Sequence, residues 1–135
     1  MLTLYGRANS INVMKVLWTL EELGLRHERV DVGGPFKFQH RPDYLSLNPN
    51  AMVPTLDDDG FILWESNVIV RYLCAKHGMG SLFPADGRTR WEAERWMDWQ
   101  QTTAGAAMSP AIVGLLRTPA APRDAAGIQA SCKAA

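Results

Sequence analysis

The first thirty or so residues narrow the possible folds most. Leu2–Tyr5 reads as a short strand, and Gly6 to Asn9 as a polar loop. Ser10 then stands at a helix N-cap position, followed by Val13, Val16, Leu17, Leu20 and Leu23 at helical spacing. Gly24 closes that helix, because glycine enters the left-handed conformation cheaply. His27–Val32 alternates and stops at Gly33-Gly34-Pro35, as a second strand would. A strand, a helix and a strand in so short a span form a βαβ unit. Its strands should be parallel, with a right-handed crossover.

The rest of the chain extends this unit. Residues 35–50 read as irregular, with Pro42 able to start a short helix through Leu47. Val53–Leu56, a turn at Asp57–Gly60, and Phe61–Trp64 read as a β-hairpin. Pro54 cannot donate to a ladder, so it belongs at a strand start or edge. Ser66 is expected to cap a third helix ending near Gly78. Together these elements predict a mixed four-stranded sheet with helices packed on it. After Gly80 the pattern changes. Asp86 should cap a long helix from about Gly87, which Pro110 kinks or ends. From Thr118 onward large apolar residues run out, apart from Ile128. The expected division is a first domain over residues 1–80 and a partial helical one over 86–135.

Composition excludes several functions. Lys+Arg and Asp+Glu are each 14 in 135 residues, so the formal net charge is zero. Such a chain has no electrostatic footprint for nucleic acid or an anionic membrane. No run of about 18 apolar residues suits a membrane span. The N-terminus lacks a signal-peptide layout, and two cysteines, Cys74 and Cys132, form no disulfide framework. A reducing compartment, most simply the cytoplasm, is expected. No cluster has metal-ligand spacing, so no metal is expected; there is no phosphate loop. The absence of C-x-x-C disfavours a dithiol mechanism.

Four local signals then occur in order: Gly6-Arg7-Ala8-Asn9-Ser10-Ile11-Asn12, Asn48-Pro49 followed by Val53-Pro54, Glu65-Ser66, and Trp96-Met97-Asp98-Trp99. Over residues 1 to about 117 the sequence resembles a bacterial glutathione S-transferase of the theta-like, serine-using kind. The resemblance implies an α/β, thioredoxin-like βαβ-α-ββα domain with the mixed four-stranded sheet, then the start of an all-α domain. It implies glutathione as co-substrate, a small electrophile as second substrate, and a homodimer if the helical domain were complete. That helical domain normally runs further and carries much of the electrophile pocket. A truncated, non-catalytic glutathione-binding or interaction module is therefore the alternative, and glutathione-dependent disulfide reduction a third reading. A shortened helical part would also leave some of Trp91, Trp96 and Trp99 exposed and favour self-association.

The resemblance also gives residues roles, each beside a plainer reading. Ser10 is a helix cap, or the hydroxyl that donates to the glutathione thiolate. Asn12, in the first turn, is an exposed polar residue or a second donor to sulfur. Arg7 suits an anionic ligand or a local ion pair. Pro54 is an edge-strand proline, or a cis-proline that turns the backbone of Val53 toward an extended peptide. Ser66 caps a helix, or with Glu65 holds the zwitterionic γ-glutamyl end of glutathione at a helix start. Relatives usually carry Gly and then a basic residue or Gln before Val-Pro. Here Ala51 and Met52 stand there, and methionine cannot hold the glycyl carboxylate. Gln39 and His40 are solvated loop residues or partial substitutes.

Overall fold

The computed structural model describes residues 1–120 and 123–134. The chain forms two compact units, Met1–Ala85 and Asp86–Ala135. In the first, β1 (Leu2–Tyr5), α1 (Ile11–Glu22), β2 (His27–Val30), α2 (Pro42–Leu47), β3 (Thr55–Asp58), β4 (Phe61–Trp64) and α3 (Ser66–His77) follow in order. The sheet order is β2-β1-β3-β4. β1 pairs with β2 in parallel, and the β1–β3 and β3–β4 pairs are antiparallel. The mixed four-stranded sheet read from the sequence is therefore present.

Side-chain alternation assigns the two faces. Leu2, Leu4 and Leu56 point to one face, where Val13, Val16 and Leu20 of α1 and Ile69 and Leu73 of α3 complete the core. Burying each such side chain contributes about 1.5–3 kcal/mol. The other face carries Tyr5 and Thr55. There the Tyr5 ring lies 6.1 Å from that of Tyr44 in α2, and the Tyr44 hydroxyl meets Thr55. α1 comes so close to the loop after β1 that a Cβ on Gly6 would lie 2.5 Å from Val13 Cγ2. Gly24 ends α1 at φ 62°, with Leu25 N–H bonded to Leu20 C=O and Gly24 N–H to Glu21 C=O. This is the Schellman closure that glycine favours.

Three boundaries differ from expectation. β2 ends at Val30, although Arg7 N–H still takes the Val32 carbonyl. The hairpin turn is Asp59-Gly60 alone, both at positive φ, so β3 runs through Asp58. Asp58 stays in the strand because its carboxylate accepts from Lys76 Nζ at 2.5 Å and Tyr72 Oη at 2.6 Å, both on α3. The third correction is at α3. Ser66 is its first residue, and Glu65 is the N-cap, at φ 71°.

In the second unit Asp86 caps α4 (Gly87–Trp99) by accepting from Thr89 N–H. A π-helical turn, Gln100–Ala104, leads directly into α5 (Gly105–Leu116). Trp91, Trp96 and Trp99 are exposed. Pro110 neither ends the helix nor stands at its margin; it lies inside α5. A further helix, α6 (Ala125–Ala134), was not legible in the sequence. It explains how α5 tolerates its proline. Pro110 has no N–H for the ladder. Beside it, the buried Ser131 hydroxyl of α6 accepts from Ala111 N–H at 3.2 Å and donates to the Ala107 carbonyl.

Two outcomes follow. Ser131→Ala should cost about 1–2 kcal/mol in urea unfolding, and less in a Pro110→Ala background, where α5 completes its own ladder. Equal costs in both backgrounds would sever the link. Lys76 and then Tyr72 hold the Asp58 carboxyl below its ordinary value, and Asp58 holds the Lys76 ammonium above its own. A carboxylate with a depressed folded pKa stabilises fully above the ordinary value of about 3.9 and loses that contribution as pH falls through the folded value. The stability gap between wild type and Asp58→Asn should therefore be flat near neutrality and close on acidification. Paired unfolding curves across pH check this.

Candidate functional site

Strand register gathers the site. At one end of the sheet Tyr5 lies opposite both Val30 and Thr55, and Thr55 lies opposite Trp64. The segments after β1, after β2, before β3 and after β4 therefore leave the sheet at this end. They carry Arg7 and Ser10, Gly33 and Gly34, Val53 and Pro54, and Glu65 and Ser66.

Ser10 is buried and extended (φ −89°, ψ 125°), as an N-cap should be, yet its hydroxyl makes no capping bond. The position is a cap, and its oxygen is not spent on capping. Asn12 is half-buried in the first turn of α1. Arg7 donates from Nη1 to Asn9 Oδ1 at 2.8 Å.

Val53-Pro54 is a cis peptide, and Pro54 is buried. β3 begins only at Thr55, so the Val53 backbone stands outside the ladder. Behind it lies a buried polar network. Tyr44 Oη donates to the Met52 carbonyl at 2.6 Å, which leaves the Thr55 hydroxyl, at 2.8 Å, as donor to Tyr44. Asn48 Nδ2 donates to the same carbonyl at 3.0 Å and to Thr55 Oγ1 at 3.1 Å, while its Oδ1 accepts from Asn50 N–H. Burial raises the Tyr44 phenol, so it stays protonated as the network requires. Asn48 was visible only as half of an Asn-Pro motif. Its role needed the fold, because its partners, Asn50, Met52 and Thr55, are gathered around it by the course of the proline loop.

At the start of α3, Ser66 and Asn67 are buried and Glu65 is exposed. Lys15 Nζ of α1 donates to Asn67 Oδ1 at 2.9 Å. Half-burial lowers the Lys15 ammonium below its ordinary value, and the Glu65 charge opposes that. Lys15 and Asn67 thus pin the starts of the two helices, a link the sequence did not signal. The remaining candidates are more peripheral. The Met52 side chain is exposed, although its carbonyl anchors the network. Gln39 and His40 fall in a short 3₁₀ turn, Phe38–His40, with His40 exposed. Cys74 is buried in α3. Among the described residues no group of three His, Cys, Asp or Glu could hold a metal, and no helix is long and apolar enough to cross a membrane.

The family model "Glutathione S-transferase, N-terminal domain" matches residues 1–75 of the chain. The chain belongs to the glutathione S-transferase family. Glutathione S-transferase GstB of Escherichia coli strain K12 is 51% identical over 98% of this chain and 65% of its own length. A rice relative, probable glutathione S-transferase GSTF2, is 32% identical over 86% of this chain and 54% of its own. Among solved structures, the theta-class glutathione S-transferase of Xanthomonas axonopodis pv. citri with glutathione bound matches at TM-score 0.94 and 44% identity, over 98% of this chain and 63% of that one. The chain thus spans just under two thirds of the length of these bacterial relatives.

The glutathione S-transferase fold here rests its proline loop on Asn48. Asn48→Ala removes three hydrogen bonds from a buried site and should lower stability by about 1–3 kcal/mol. Urea denaturation checks this; an unchanged midpoint would mean that Tyr44 alone holds the loop.

Proposed function

We propose that this chain binds glutathione and transfers its thiolate to an electrophilic small molecule. The observation that carries the reading is Ser10, whose buried hydroxyl sits at the start of α1 and is not used for capping. A cysteine-type thiol has a pKa near 8.5 and is mostly protonated at neutral pH. Lowering it by about two units takes about 2.7 kcal/mol of preferential thiolate stabilisation. A hydrogen bond to a charged sulfur supplies roughly 1.5–3 kcal/mol, and the helix start adds roughly 0.3–1. Ser10 therefore suffices without a general base, and Asn12 is the second candidate donor.

The remaining roles follow the same geometry. The Val53 backbone pairs with the cysteinyl residue as an added strand. Ser66, buried at the start of α3, and Glu65 beside it receive the γ-glutamyl carboxylate and ammonium. The sulfur lone pair then forms a carbon–sulfur bond, and the leaving group departs with its electron pair. Disulfide reduction is the lesser reading, because serine stands at the helix start and Cys74 is buried in α3. By family likeness the whole protein acts in the cytoplasm as a homodimer.

Ser10→Ala should raise the thiol pKa of bound glutathione by about one to two units, with a smaller effect on affinity. Ultraviolet titration of the thiolate in the complex reads this directly and needs no electrophile. An unchanged pKa in Ser10→Ala with a raised one in Asn12→Ala would transfer the role to Asn12.

A further inference from the structure

Glutathione carries a carboxylate at each end, and Glu65 with Ser66 engages only one of them. The loops at the site follow the strand order β2-β1-β3-β4. A peptide paired at Val53, with its γ-glutamyl end toward β4, directs its glycyl end toward the loops after β1 and β2. Met52, beside Val53, offers no charge there. Arg41, on the same side of the sequence, is committed to Asp43 at 3.0 Å.

Arg7 occupies that side. Its side chain lies across the glycine pair that follows β2. A Cβ on Gly34 would lie 2.9 Å from Arg7 Cδ and 3.0 Å from Nε, so a side chain there would displace Arg7 from this position. A Cβ on Gly33 would meet Val53 Cγ1 at 3.5 Å and Arg7 Nε at 3.8 Å. Arg7 and Val53 thus both border Gly33. One side of the guanidinium is fixed, because Nη1 donates to Asn9 Oδ1. The Nε–H, on the edge that grips a carboxylate in two-point fashion, is buried and has no acceptor. A buried donor left unpaired is costly, so an arriving acceptor there is favoured. Among the described residues the other such orphan is Gln39 Oε1, on the segment between β2 and α2. A glycyl residue presents the complement of this pair: a carboxylate acceptor for Arg7 and an amide N–H donor for Gln39.

We infer that Arg7 is the cation that takes the glycyl carboxylate of glutathione, filling the role that Met52 leaves vacant. The inference rests on the glutathione reading above. Arg7 touches the ligand at an end remote from sulfur, so it sets affinity and co-substrate choice rather than thiol acidity.

Calorimetry with glutathione and with γ-glutamylcysteine, which lacks glycine, tests it. Wild type should prefer glutathione by about tenfold, the scale of a charged hydrogen bond. Arg7→Met should abolish that preference, losing affinity for glutathione while keeping that for γ-glutamylcysteine. Arg7→Met with Met52→Lys should regain part of it, and more at low salt than at high salt. A Ser10-dependent thiol pKa should survive in Arg7→Met. Equal losses for both peptides would make Arg7 structural and overturn the inference. So would a preference that persists in Arg7→Met. Wild type binding both peptides equally would overturn the glycyl assignment alone. Wild type binding neither would overturn the glutathione reading itself.

Discussion

Everything at the site depends on the two-sided pairing of β1. This four-residue strand takes β2 in parallel on one edge and β3 antiparallel on the other. Parallel pairing makes β1 and β2 end together, and antiparallel pairing makes β3 begin where β1 ends. The hairpin then returns β4 to the same end. Four loops distant in sequence are thereby brought to one rim by backbone hydrogen bonds alone. A one-residue slip in the β1–β3 ladder would turn Leu4 or Leu56 out of the core, so apolar burial guards the central register of the rim.

Two polar groups of the rim, Ser10 and Arg7, are left with hydrogen-bonding capacity that the chain does not use. Ser10 holds a cap position without using its oxygen as a cap. Arg7 keeps a buried N–H without an acceptor. By contrast the supporting layer, Tyr44, Asn48 and Thr55, is fully engaged around the Met52 carbonyl. Rigid support beneath and unused hydrogen-bonding groups above suit the proposed glutathione site, where the ligand rather than the protein would complete the hydrogen bonds.

The sequence was most informative where structure is local. α1 with its Gly24 stop, the Pro42 helix and the Asp86 cap all follow from short-range rules, and each appears within a residue of expectation. It was least informative where a distant partner decides. Asp58 reads as a turn residue until Lys76 and Tyr72 are placed beside it. Nothing in the local sequence marks Lys15 and Asn67 as partners; they meet only because α1 and α3 lie side by side. For the candidate site, residue types and order were legible, since helix starts and a proline loop have short signatures. The glycine cradle under Arg7 was not, because nothing in Gly33-Gly34-Pro35 distinguishes a turn from a surface against which another side chain lies.

The Ser131 hydroxyl, carried by α6 and bonded to the backbone of α5, has an implication for how this chain can vary. Pro110 and Ser131 are 21 positions apart in numbering yet act as one unit, since the hydroxyl bridges the helix one step beyond the proline. A serine at 131 has little to do if 110 is an ordinary helix former, and a proline at 110 is poorly tolerated without it. The two are an epistatic pair: the permissive order of change is serine first and proline second, and reversion is safest in the opposite order. A short C-terminal helix that looks like a compositional tail thus constrains which residues the middle of its neighbour can accept.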